Sequence, residues 1–366
     1  MKVGYIYNGL QIGDDDNARS IAASLGKMNN VEPIPINLNN PTELYKLNQD
    51  EVLVVGAGSH SLNFLKELSK FDNIKTVWSA HQQPAIIDGA AIRAIDNIVL
   101  PEYEVGDALK RLCPEKLIEL PFGVPNSLTQ KQITAEYQQN AAQFPKADKY
   151  VAVVLGGDAK DKQGSLKHYT EEEAYALGRI SAQWAKDNNM VLLATNGPRT
   201  GAYDEQGNRD MQVHRDGVLD VVSQAFLRGT DEVGLPSSQM QFYDFQFDKP
   251  SMFKAILGAV QQNEGSFAVL PAESTSMLTE AVENLSPQKV VCYEANSMSE
   301  AHHKQVSNLF ENGYVYKLDV NAYQLEQPSN LATQSPMRSA DIAAIQIDSN
   351  LRQTKYEKPL QNVVGR

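Results

Sequence analysis

Short β-branched apolar runs alternate along this chain with segments whose apolar residues recur every third or fourth position. Repetition of that kind predicts strand–helix–strand units and parallel sheets. In the first third, strands are predicted over Val3–Tyr7, Glu51–Val55, Lys75–Trp78, Asn97–Leu100 and Leu117–Leu120, with covering helices over Asn17–Leu25, Leu62–Leu68 and Val105–Leu112. The pattern breaks at PFGVPNSLT. Leu128, Ile133, Tyr137, Ala141 and Phe144 then make a sparse stripe that stops at Pro145, which predicts a linker helix. Tyr150–Leu155 restarts the alternation as a nearly continuous apolar run, the mark of a strand buried on both faces.

Beyond it, Thr170 with Glu173 forms a capping box that opens a helix carrying Leu177, Ile180 and Trp184. Strands are then predicted over Met190–Ala194, Met240–Phe245, Phe267–Leu270 and Lys289–Tyr293, and helices over Val213–Phe226, Pro250–Val260, Met277–Asn284 and Ser299–Phe310. From about Asn321 periodicity fades, leaving a weak helical patch near Ala340–Ile347. The expectation is an α/β protein of two Rossmann-like domains: residues 1–127, a linker helix over 128–145, a second domain over 146–320, and a tail over 321–366 that either packs on the first domain or is partly disordered.

Composition narrows the partners. The 366 residues carry 33 Lys+Arg against 45 Asp+Glu, a net charge of −12. Such a balance lacks the generic field that holds proteins on nucleic acid or anionic lipid, so a polyanion must be held by a local site. No apolar run approaches a membrane span, and Met1 opens into a strand-like run with no signal segment, so a cytoplasmic protein is expected. Cys113 and Cys292 are expected as buried free thiols.

Sheets of this type bind ligands at the carboxyl ends of their strands. Four such places stand out. Gly156 and Gly157 follow the Tyr150–Leu155 strand, where the missing Cβ lets backbone approach a bound group. Ser274, Thr275 and Ser276 fall at a helix start suited to a diphosphate, with Glu280 a turn further in for ribose hydroxyls; an ordinary N-cap is the competing explanation. Thr195, Asn196 and Arg199 lie in the loop LLATNGPRT, where the arginine fork suits phosphate. In the first domain, Gly9, Gly13, Asn17, Gly58, Ser59, His60 and His81 share one rim, the two histidines being candidate general bases. Asp14, Asp15 and Asp16 fit a helix-start acidic cluster better than a metal site, and no metal is expected.

Several chemistries are disfavoured by the letters themselves. Gly56, Gly58 and Ser61 give G-x-G-x-x-S after a later strand, which fails as a dinucleotide fingerprint. No tyrosine has a lysine four positions on, and the P-loop, C-x-x-C and H-E-x-x-H patterns are absent.

GLQIGDDDNARSIAASLG, VVGAGSHS, TVWSAHQQP, DNIVLPEYE, VAVVLGGD, LLATNGPRT and AESTSMLTEA occur here in the order used by the elongated-mitochondria (mitochondrial fission) family, which the chain resembles over roughly Met1–Asp319. That family comprises plant fission proteins and bacterial relatives often labelled nucleoside-diphosphate-sugar epimerases. The resemblance implies a glycosyltransferase-B-like architecture, two Rossmann-like domains facing across a cleft, with the nucleotide sugar on the second domain, the acceptor on the first and no obligatory metal. Gly157, Thr195, Arg199, Ser274, Ser276 and Glu280 match family positions, so nucleotide-sugar contacts are carried over to them. The chain departs from the family at Asp158–Ala159, placing a carboxylate where it would repel a diphosphate unless Lys160, Lys162 or Arg199 offsets it, and at Ser59–His60.

Two functions follow as expectations. One is a metal-independent glycosyltransferase-like protein that uses a nucleoside-diphosphate sugar as donor and needs no further cofactor, with His81 or His60 deprotonating the acceptor. The other is a non-catalytic interaction protein of the same fold, recruiting a protein partner as the plant fission relatives do, or a bacterial effector delivered into a host by a route without a signal peptide.

Overall fold

The structure, a computed structural model, describes residues 1–9, 12–40, 51–83, 88–160, 164–203, 208, 210 and 218–357. The chain divides into two compact units, residues 1–127 with those from 337 onward, and residues 128–336.

The first unit runs β1 (Lys2–Tyr7), α1 (Ile12–Asn29), β2 (Ile34–Asn37), β3 (Val52–Ala57), α2 (Gly58–Leu68), β4 (Ile74–Ser79), α3 (Gly89–Ala94), β5 (Asn97–Pro101), α4 (Asp107–Leu112) and β6 (Leu117–Leu120). Its strands form a parallel sheet in the order β2-β1-β3-β4-β5-β6. β3 is buried along its whole length, as its unbroken apolar run requires. Leu62, Leu65, Ile92 and Leu109 cover one face of the sheet, and Ala18, Ile21, Ala22 and Leu25 of α1 cover the other. β2 was not predicted because Pro33 and Pro35 interrupt its apolar pattern; it lies at the sheet edge, where proline is tolerated.

The second unit contains α5 (Gln130–Asn140), β7 (Tyr150–Val154), the short strands β8 (Ala159–Lys160) and β9 (Leu166–Lys167), α6 (Glu171–Asp187), β10 (Val191–Thr195), α7 (Val221–Val233) and β11 (Met240–Tyr243). It continues with α8 (Phe253–Gln262), β12 (Phe267–Pro271), α9 (Thr275–Asn284), β13 (Val290–Tyr293), α10 (Glu300–Glu311), β14 (Tyr316–Asp319) and β15 (Gln324–Glu326). The sheet order is β11-β10-β7-β12-β13-β14-β15, parallel except for β15. The Thr170–Glu173 capping box forms at the head of α6.

Two segments differ from the sequence reading, and a third, the tail, follows it in part. Residues 128–145, read as a linker, are packed into the second unit. The Ile133 side chain is fully buried, Gln262 Nε2 donates to Thr134 Oγ1 at 3.1 Å, and the Tyr137, Phe144 and Tyr243 rings stack in series. The helix predicted over Val213–Phe226 begins at Val221, where the Asp220 side chain accepts from the Ser223 N–H; residues 213–217 lie outside the described residues. The tail splits: β15 extends the second sheet, while α11 (Ser339–Glu357) packs on the first unit through Ala343, Ala344, Ile347 and Leu351. Ser24 Oγ donates to Asp341 Oδ1 at 2.7 Å and Asn350 Nδ2 to Asn97 Oδ1 at 2.9 Å.

Both cysteines are free and buried. Among the described residues no helix is long and apolar enough to cross a membrane. Each sheet reverses its strand order once, between β1 and β3 in the first unit and between β7 and β12 in the second. Loops leaving neighbouring strands in opposite directions open a crevice there, so the residues at these two points are the first to inspect.

Candidate functional site

At the reversal in the second sheet, the loop after β7 supplies Gly156 and Gly157 and the loop after β12 supplies Glu273 and Ser274. Glu273 is 2% exposed. Its Oε1 accepts from the Gly157 N–H at 2.7 Å, while its Oε2 is buried with no hydrogen-bond partner among the described residues. Burial pushes the Glu273 carboxyl above its usual range, countered in part by the Arg199 charge and the Gly157 N–H. Gly157 has no room for a side chain: a Cβ there would lie 2.7 Å from Arg199 Cβ and 2.9 Å from the Arg199 carbonyl carbon. The β7 loop and the loop carrying Arg199 therefore touch backbone to backbone, and the arginine is fixed beside the glycines.

Ser274 occupies the N-cap of α9, yet its side chain accepts no hydrogen bond from the helix. Five other helices, α3, α5, α6, α7 and α10, are capped by Asp88, Thr129, Thr170, Asp220 and Ser299. The first-turn N–H groups of α9, like those of α2, α4 and α8, thus lack the side-chain acceptor that these five helices have, and here they lie next to three hydroxyls on Ser274, Thr275 and Ser276. Ser276 is exposed and Glu280 is half-buried further along the helix.

The loop after β10 divides by role. Thr195 Oγ1 donates to the Tyr243 carbonyl at 2.8 Å. Asn196 Nδ2 lies within hydrogen-bonding distance of Asp220, Ser223 and Asp244, and Asn196 Oδ1 accepts from the Phe245 N–H. Both side chains tie β10 to β11 and to the head of α7. Arg199 is half-buried, with Nη1 3.4 Å from the Asp158 carbonyl. Thr200, which sequence reading passed over, donates from Oγ1 to the Gly156 carbonyl at 2.8 Å and accepts from the Gly197 N–H.

Asp158, which the sequence reading set near the phosphates, is a buried residue. It is 3% exposed, accepts from the Tyr169 N–H at 2.9 Å, and lies 3.0 Å from His168 Nδ1. Burial raises its pKa, with the Tyr169 N–H and His168 opposing the rise. Its oxygens are thus engaged by the two residues that follow β9. Lys162, invoked to offset that charge, lies outside the described residues.

In the first unit the three consecutive aspartates point three ways. Asp15 accepts from the Asn8 and Gly9 N–H groups at 3.0 and 2.8 Å, closing the loop after β1. Asp16 accepts from the Ser127 N–H and Oγ and pairs with Arg19; burial opposes these bonds, but together they hold its pKa below the usual value. Asp14 faces both histidines, 3.6 Å from His60 Nδ1 and 3.4 Å from His81 Nδ1. Gly58 makes that placement possible: its φ is +70°, and a Cβ would sit 2.1 Å from Asp14 Oδ2. Trp78 Nε1 donates to the Gly58 carbonyl at 2.9 Å and anchors the turn. Gly13 and Ser59 are exposed at this rim, whereas Asn17 is buried in α1. Among the described residues no group of three or more His, Cys, Asp or Glu side chains is arranged to hold a metal ion.

Glu273 is the residue that sequence reading missed. The signal was present, an acidic residue between a buried strand and a Ser-Thr-Ser helix start, but nothing in the letters marks it as buried.

No family model matches the chain, and no curated protein matches it. Among solved structures it is similar to a glycosyltransferase from Rickettsia africae, at 9% identity and a TM-score of 0.42, over 96% of this chain and 88% of that one. A sucrose-phosphate synthase from Thermosynechococcus elongatus gives 11% identity and a TM-score of 0.42, over 99% of both chains. A transcription regulator of Lactococcus lactis gives 10% identity and a TM-score of 0.24 over 97% of this chain and 92% of that one. The mitochondrial-fission resemblance draws no support from these comparisons.

Proposed function

We propose that the carboxyl rim of the second sheet binds the diphosphate of a nucleoside-diphosphate sugar, and that the protein is a glycosyltransferase-like protein working without a metal. The observation carrying this reading is the serine-led but uncapped N-terminus of α9, beside Arg199 and the unpartnered Oε2 of Glu273. Backbone N–H groups of the first turn and the Ser274, Thr275 and Ser276 hydroxyls take the phosphate oxygens, and Arg199 adds the charge. The raised pKa of Glu273 reduces its repulsion of a neighbouring anion. Glu280 takes the ribose hydroxyls, Gly156 and Gly157 form the floor, and Thr195 and Asn196 fix the loop that carries Arg199. As the glycosidic bond breaks, the helix dipole and Arg199 stabilise the departing diphosphate. On the first unit's rim, beside Gly13, Asn17, Gly58 and Ser59, His81 is the candidate base for the acceptor hydroxyl, with His60 as the alternative.

Thermal-shift measurements against UDP-, GDP- and dTDP-sugars, with a CMP-sugar as the monophosphate comparison, test this. A rise in Tm with one diphosphate sugar, abolished by Ser276→Ala and by Glu280→Ala, is expected. The absence of any rise at millimolar concentration would overturn the reading and leave the non-catalytic interaction protein.

A further inference from the structure

A cavity of about 300 Å³ opens at the opposite, amino end of the second sheet. Lys149 and Met190 precede β7 and β10, Phe267 opens β12, Tyr316 opens β14, and Trp184 of α6 and Leu325 of β15 complete the wall. The five residues of β12 separate it from Glu273, about 15 Å of extended chain. It is therefore distinct from the nucleotide-sugar site and does not depend on that reading.

Three features of the lining specify a ligand. First, the wall is aromatic: the Trp184 and Phe267 rings meet at 73° with centroids 5.5 Å apart, and Leu325 remains 41% exposed. A flat ring inserted here would cover apolar surface that the protein leaves open. Second, no carboxylate is among the lining residues although the chain carries a net charge of −12, and the lining holds one cation, Lys149, which is exposed and whose carbonyl accepts from the Val191 N–H. Third, the polar groups of the lining are an indole N–H on Trp184, a hydroxyl on Tyr316 and the Asn188 and Gln288 amides, with the Asn188 Nδ2 already given to the Trp184 carbonyl. A largely apolar slot with one cation, neutral donors and no carboxylate is complementary to a ring bearing an anion. We propose that this cavity binds a planar aromatic carboxylate, its ring between Trp184, Phe267 and Tyr316 and its carboxylate on Lys149.

The chain has two tryptophans, Trp78 buried in the first unit and Trp184 in this wall, so 5-fluorotryptophan labelling reports the site directly by ¹⁹F NMR. Titration of the full chain with 2-naphthoate is expected to shift the Trp184 resonance saturably and leave the Trp78 resonance in place. Lys149 is exposed, so Lys149→Ala should fold; it is expected to weaken 2-naphthoate about tenfold and to leave neutral 2-naphthylmethanol unchanged. A Trp184 resonance that does not shift, or equal movement of both resonances, would overturn the proposal. So would equal weakening of the acid and the alcohol, or a Trp184 shift that follows protein concentration without ligand, which would place a second copy of the chain in the cavity.

Discussion

At the carboxyl end of the first sheet two of three neighbouring acids are committed to backbone hydrogen bonds and the third faces two histidines, whereas at the same end of the second sheet an acid spends one oxygen on backbone and leaves the other unpaired. Asp15 and Asp16 accept from Asn8, Gly9 and Ser127, and Asp14 is wedged between two histidines behind Gly58. Glu273, by contrast, spends one oxygen on Gly157 and leaves the other buried without a partner, beside a helix whose N-cap serine does not cap. The two rims share a topological position, a strand-order reversal, and each keeps buried polar atoms without a hydrogen-bond partner among the described residues, Asp14 Oδ1, Asn17 Oδ1 and His60 Nδ1 on the first and Glu273 Oε2 on the second; they differ in that Asp14 faces histidine nitrogens at 3.4 and 3.6 Å. Buried polar groups are normally paired, so the unpaired atoms make both rims candidate ligand positions, and on the second that atom lies beside an uncapped helix terminus.

The contrast can be broken most severely at Gly58. Gly58→Ala combines a positive φ with a contact at 2.1 Å to Asp14 and should lower unfolding free energy in urea by about 3 kcal/mol, whereas Gly13→Ala, whose Cβ meets nothing within 4 Å, should change it by less than about 0.5 kcal/mol. Equal effects would mean the first rim is not built around that contact. Next, Arg199→Ala should weaken nucleoside-diphosphate binding by about 10- to 100-fold, while Asp15→Ala should leave binding intact and cost about 1 kcal/mol of stability. Loss of binding in the Asp15 variant would erase the distinction between the rims.

A smaller effect concerns pH. The pKa of Glu273 is raised on folding, so its contribution to stability is present below the unfolded carboxylate value and fades as pH rises through the folded one. Glu273→Gln keeps an acceptor for the Gly157 N–H without that fade. Its Tm relative to the parent should therefore climb from about pH 4 upward and then level off; a flat or falling difference would show that the carboxyl is not strained by burial. Smallest of all, His81→Ala should alter stability by less than about 0.5 kcal/mol, because the ring is 60% exposed. A larger loss would make Asp14–His81 part of the first rim's framework.

Much of the fold was legible because the central strands of both sheets are unbroken apolar runs, β3 and β7 above all. What escaped was mostly peripheral: β2 with its prolines, β15 with all three residues exposed, the two-residue strands β8 and β9 and the six-residue helix α3; β14, with Leu318 in the core, also escaped. α11 read as weak because its buried stripe is largely alanine, whose burial is decided by close approach to α1. In the candidate site, Gly157, Arg199 and Ser274–Ser276 could be located as strand-end residues. Their states could not: that Ser274 leaves the helix uncapped is a matter of backbone angle, that Asp158 accepts from Tyr169 depends on a turn eleven residues long, and that Glu273 is buried depends on packing against Gly157, 116 residues away.

The central claim is that the second unit's carboxyl rim binds a diphosphate through α9 and Arg199. Isothermal titration of the parent chain and of Arg199→Ala with the diphosphate of whichever nucleoside gives the largest thermal shift tests it directly. One saturable site per chain is expected in the parent, and at least tenfold weaker binding in the variant. Equal affinity in the two proteins, or no heat of binding in the parent at millimolar nucleotide, would contradict it.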